Sequence, residues 1–101
     1  MVIDHVGTLA ATLSGVRPTS KEGYAEWRYQ GRLVAREMDD RRLVIRCDLD
    51  DRDMLLRMFP ETFSVPPRYQ RHMMIVADLA GGDPGAIEGA IEAAWILQRG
   101  R

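Results

Sequence analysis

The chain has 101 residues, of which 46% are hydrophobic and 29% charged, enough for one domain over 1–101 and too little for two. That balance argues against disorder, and the longest mostly apolar stretches, about a dozen residues, are too short to span a bilayer. Fourteen basic against fifteen acidic residues give a net charge of −1, without the basic surplus of a typical duplex-binding domain. A single cysteine, Cys47, excludes an internal disulfide framework and fits a reducing compartment. Residues 1–15 lack a basic leader, so the expected location is cytoplasmic, with no membrane partner.

Val2, Val6, Leu9, Ala10 and Leu13 recur at helical spacing and Gly15 ends the pattern, which predicts an amphipathic helix over 2–14. Residues 16–23, rich in Pro, Ser, Thr and Gly, read as a loop. Residues 24–29 alternate Tyr24, Glu26 and Arg28 against Ala25, Trp27 and Tyr29, a strand pattern, and Gln30-Gly31 is a turn signal. Residues 32–38 and 42–48 read as two further strands joined around Asp39-Asp40-Arg41, completing an antiparallel meander. Asp50, Asp51 and Asp53 open a short helix over 51–58 that Pro60 ends. The three prolines of 60–71 make that segment irregular, and residues 73–79 (MMIVADL) form another strand. Asp83-Pro84 is an N-cap followed by proline at the first helical position. Ile87, Ala90, Ile91, Ala94 and Trp95 then give the last helix, reaching residue 98, its buried stripe. The order α-β-β-β-α-β-α predicts an α+β fold, an antiparallel sheet with helices packed on one face.

Side-chain alternation places Leu33 and Ala35, and Leu43, Ile45 and Cys47, toward the helices. Arg32, Val34 and Arg36, and Arg42, Val44 and Arg46, fall on the opposite side. If the hairpin partners sum to an even number, the two apolar sets coincide and the four arginines converge on the open face. Glu37 breaks the pattern, at the tip of the hairpin. Two readings of this face stand side by side: a solvated polar surface, partly neutralised by Asp48 and Glu26, or an anion-binding surface in which planar guanidinium groups meet phosphate.

Catalytic signatures are missing. His5 and His72 have no motif around them, and Cys47 alternates onto the core face, where a thiol is inert. One Cys and two distant His do not make a zinc site. Gly81-Gly82-Asp83-Pro84-Gly85 lacks the Walker lysine and the dinucleotide glycine spacing, so it reads as a turn and N-cap. Asp48, Asp50, Asp51 and Asp53 alternate as ligands might, but an EF-hand would need Gly and Glu where Asp53 and Phe59 stand, and capping is the favoured role. No enzyme activity, cofactor or metal is expected.

Three segments resemble the MmcQ/YjbR-like family. AEWRYQGRLVA is similar to its aromatic strand and Gly-basic-x-x-Ala step (Gly31, Arg32, Ala35), and ETFSVPPRY to its Phe-x-Val-Pro-Pro-x-Tyr segment (Phe63, Val65, Pro66, Pro67, Tyr69). IEGAIEAAWIL is similar to its closing helix, and Leu13–Val16 to the end of its first helix. A Gly and a Trp that often follow the Tyr are replaced by Arg71 and Met74. The resemblance implies a frataxin-like (CyaY-like) α+β domain with a double-wing arrangement and a DNA-binding function. Arg32, Arg36, Arg42 and Arg46 are then the expected phosphate contacts, helped by Arg68 and Arg71 from the Pro-rich segment, with Tyr69 either stacking on a base or packing in the core. The alternatives are an interaction domain that meets an acidic protein or a second copy of itself, a frataxin-like metal role for the aspartates, and a small-molecule pocket beside the Pro-rich segment.

Overall fold

A computed structural model describes residues 1–100. Its elements run α1 (Ile3–Ala11), β1 (Val16–Lys21), β2 (Tyr24–Tyr29), β3 (Arg32–Glu37), β4 (Arg42–Arg46), α2 (Leu49–Met58), β5 (Phe63–Ser64), a 3₁₀ turn (Pro67–Tyr69), β6 (Met74–Asp78) and α3 (Pro84–Arg99). All strand pairs are antiparallel, in the spatial order β1-β2-β3-β4-β6-β5. The fold is α+β. The expected meander is β2-β3-β4, and β6 returns beside β4.

The helices cover one face. Val6 and Ala10 of α1, Leu55 of α2 and Ile87, Ile91 and Ala94 of α3 bury against Trp27, Leu43, Ile45, Ile75 and Ala77 of the sheet. On the other face only Val44, Val76 and Tyr69 form a buried apolar group, with Met38, Val65 and Met74 against it. No helix among the described residues is long and apolar enough to cross a membrane.

Two strands depart from the expected order. The segment read as a loop over 16–23 contains β1, which pairs along its whole length with β2. It is a sheet edge exposed over five of its six residues, so it has no apolar alternation to betray it. Pro18 is tolerated there because edge strands alone leave N–H positions unpaired. The two-residue β5 lies within the Pro-rich segment and pairs with β6. The hairpins turn on Glu22-Gly23 (φ 56° and 84°) and Gln30-Gly31 (φ 49° and 79°), paired positive values that match the twist of the flanking strands.

Helix ends follow local chemistry. The Asp48 carboxylate, rather than those of Asp50, Asp51 or Asp53, caps α2 by accepting the Asp51 N–H at 2.8 Å, which starts the helix at Leu49. Asp83 caps α3 as expected, accepting the Ala86 N–H at 3.1 Å.

The largest correction concerns strand parity. Opposite β2, the register steps from Trp27↔Ala35 to Arg28↔Leu33, which makes Val34 an extra residue, a β-bulge. Val34 and Ala35 both enter the helix-side core, and Leu33 moves to the face of Arg28. Arg32, paired with Tyr29, is carried to the helix side. The expected set of four arginines on the open face therefore loses Arg32.

Ile75 is fully buried between the central strands and the helices, whereas Gly89 lies mid-α3 with open space where a Cβ would stand. Ile75→Ala is expected to lower unfolding free energy by about 2–5 kcal/mol. Gly89→Ala should raise it by about 0.5–1 kcal/mol. Urea titrations of both variants check the pair; a neutral Ile75→Ala would contradict the core described here.

Candidate functional site

The β3–β4 register is of the even kind, Ala35↔Ile45 and Arg36↔Val44, so Arg36, Arg42 and Arg46 share the open face with Val44. Arg28 joins them from β2, because Arg28 alternates with Glu26 and Glu26 pairs with Arg36. Arg32 instead sends Nη1 to the Gln98 carbonyl at 2.8 Å, while Gln98 Nε2 donates to the Leu33 carbonyl at 2.6 Å. This exchange ties the last turn of α3 to β3, with a cation where the helix dipole favours one.

Glu26 is the acid at the centre of the face and is only 3% exposed. Arg28 Nε donates to its Oε1 at 3.1 Å, Thr19 Oγ1 donates at 3.4 Å, and Arg36 Nη1 stands 3.9 Å from Oε2. The hydrogen bond from Arg28 holds this carboxyl below the ordinary glutamate range; burial opposes the shift, and the charges of Arg28 and Arg36 assist it. One carboxylate thus serves two arginines. Arg42 is paired separately, its Nε and Nη2 reaching Asp39 Oδ2 at 2.8 and 2.7 Å. That bond, with backbone N–H groups of Arg41 and Arg42 on Oδ1, holds Asp39 low as well. The irregular Glu37 is also accounted for: at the hairpin end its Oε1 accepts the Ala25 N–H at 3.0 Å.

The segment carrying Pro66, Pro67 and Tyr69 lies across the open face. Tyr69 is 6% exposed and packs on Val44 and Val76. Its ring is core and does not present a stacking surface, which removes that proposed role. Its hydroxyl accepts from Arg36 Nη2 at 3.1 Å and Arg68 Nη2 at 2.6 Å, and the Arg68 guanidinium sits 4.7 Å from the ring centroid. Arg71 is exposed beyond the turn.

Two clefts flank this segment. One, of about 470 Å³, is bordered by Arg28, Arg32, Arg36 and Arg46 over Leu33, Met73 and Met74. The other, of about 530 Å³, is bordered by Lys21, Arg36, Arg42 and Arg68, with Tyr24, Tyr69 and the acids Glu22, Glu37 and Asp39. Arg36 belongs to both. Arg71 borders neither.

Sequence reasoning missed Arg28, Arg52 and Lys21, the last because it lies on the exposed edge strand β1. Arg28 was legible, since period two puts it beside Glu26. Arg52 was not: on α2 it reads as one more surface charge. It reaches round to donate to the carbonyls of Tyr69 (3.2 Å), Gln70 (3.1 Å), His72 (2.8 Å) and Met74 (3.4 Å), pinning the segment that crosses the sheet. Its Nε is buried without a hydrogen-bond partner.

Cys47 is buried, and burial, reinforced by Asp51 and Asp48, pushes its thiol up to about 12, so it is no nucleophile. Among the described residues no group of three His, Cys, Asp or Glu side chains is placed to hold a metal ion. No family model, no curated protein and no solved structure matches the chain.

Two outcomes are expected. Because the Glu26 pKa is depressed in the folded state, its stabilisation is complete above the unfolded pKa and is lost as pH falls through the folded one. Glu26→Gln should therefore cost about 1–3 kcal/mol at pH 7 and progressively less in acid. Thermal unfolding of both proteins between pH 7 and 3 checks it, and a gap that widens in acid contradicts it. Arg52→Met keeps an apolar stem but removes a donor from four carbonyls, of which those of Tyr69 and His72 keep backbone N–H partners, so amide exchange across 69–74 should accelerate ahead of the central strands. Unchanged exchange there would show that the segment is held by its apolar contacts alone.

Proposed function

We propose that the chain is a non-enzymatic DNA-binding domain that contacts phosphates with the arginines of its open sheet face. The observation that carries this reading is the meeting at Arg36 of two clefts that are together bordered by seven basic side chains. Each guanidinium has five N–H donors in a planar fork, so an arginine already bonded to a carboxylate or carbonyl keeps donors for a phosphate oxygen. Arg28 illustrates the point: it binds Glu26 through Nε and Nη2 and the Gly31 carbonyl through one N–H of Nη1. Fixed in this way, its remaining donors are preorganised, and less side-chain entropy is lost when an anion arrives.

The likeness to the MmcQ/YjbR-like family supports the same reading. Its Pro-Pro-x-Tyr portion, Pro66, Pro67 and Tyr69, is the segment that divides the basic face. The contacts assigned here differ from those expected from sequence: Arg28, Arg36 and Arg46 lead, Arg42 and Arg68 belong to the second cleft, Tyr69 acts through its hydroxyl, and Arg32 borders the first cleft from the helix side.

Four phosphate contacts predict a slope of about −3.6 for log K against log salt on duplex DNA. Arg46→Ala should weaken binding about uniformly across sequences and reduce the slope by about 1. Anisotropy titrations of labelled DNA at several salt concentrations check both. Affinity indifferent to salt, or no binding at micromolar protein, removes the reading.

A further inference from the structure

The second cleft differs in kind from the first. At its wall the buried Tyr69 hydroxyl accepts hydrogen bonds from Arg36 and Arg68. It donates none among the described residues. A phenol whose oxygen is already filled by two cations retains one proton to give, and that proton is flanked by guanidinium groups. Water is an ordinary partner for such a group. A compact anion is a strong one, since it takes the hydroxyl proton together with charge-assisted bonds from both arginines.

The acids on the same wall narrow the choice. Asp39 already holds Arg42 and two backbone N–H groups, and Glu37 holds the Ala25 N–H. With Glu22 they put three acids on the cleft wall, so an extended polyanion lying along it meets more repulsion than a compact anion seated at the Tyr69 hydroxyl. Tyr24 stands on the rim, 44% exposed, offering an aromatic surface to whatever the anion is attached to.

We propose that the cleft beside Tyr69 binds a terminal phosphomonoester, with Tyr69, Arg36 and Arg68 on its oxygens and Tyr24 against the group that carries it. The phosphate has two possible sources, a free nucleotide or the end of a DNA strand. The second source rests on the DNA-binding reading and deepens it, assigning backbone phosphates to the first cleft and a strand end to this one.

The experiment compares one labelled oligonucleotide with and without a 5′-phosphate by anisotropy. Inorganic phosphate and 5′-AMP are titrated calorimetrically into the same protein. The 5′-phosphate is expected to tighten binding by about tenfold, and the advantage should vanish in Tyr69→Phe. That substitution keeps the ring on Val44 and Val76. Arg68→Ala, at an exposed side chain, gives the same readout should Tyr69→Phe fail to fold. Equal affinity for both ends, or an advantage that survives in both variants, overturns the proposal while leaving backbone binding intact. Binding of phosphate or 5′-AMP without binding of either oligonucleotide upholds the pocket and removes the DNA reading. No binding of any probe removes both.

Discussion

A sheet with helices on one side has an unfinished second side, and here the chain completes it with its own Pro-rich segment. Val44 and Val76 would meet water if Tyr69 were not laid over them, and that segment has little regular structure of its own to hold it there. Besides that packing, it is held by the Arg52 guanidinium, whose positive charge gathers four carbonyls between the 3₁₀ turn and β6. No carboxylate is paired with this guanidinium in those four bonds; oriented backbone dipoles do the work of a counter-ion. The Tyr69 hydroxyl in turn holds both Arg68 and Arg36, so the division of the basic face into two clefts depends in part on one side chain from the opposite layer.

The electrostatics of the face follow from a shortage of acid at its centre. Glu26 lies between Arg28 and Arg36, and the hydrogen bond from Arg28, assisted by the charges of both arginines, outweighs the burial that opposes its charge. The arginines are in turn oriented by Glu26. A surface built in this way is already ordered before any ligand arrives, which is the condition under which guanidinium groups discriminate anion shape rather than charge alone.

Most of the architecture was legible because it rests on strong local signals. The apolar stripe of α3, the cap at Asp83 and the turn at Gln30-Gly31 each have one physical solution. β1 was not legible, because an edge exposed on both sides has no apolar period, and Thr and Ser favour a loop as readily as a strand. The bulge was invisible for a different reason. Leu33, Val34 and Ala35 are all apolar, so the stretch reads equally well with either parity, and only pairing with Trp27 and Arg28 decides which side Arg32 takes. Arg52 was hidden because its partners are backbone carbonyls, which no residue pattern records. That Arg36, Arg42 and Arg46 share a sheet face was legible, since their parity depends only on the regular part of the β3–β4 hairpin.

The two margins of the sheet have a consequence for how the molecule behaves in company. One margin, β1, carries Arg17, Pro18 and Lys21; the other, β5, is two residues long. A missing donor and like charges along the first, and too few backbone groups on the second, make both poor templates for a strand from a neighbouring molecule. The pairing chemistry that builds the sheet is thereby disfavoured from running on into a second molecule at either margin.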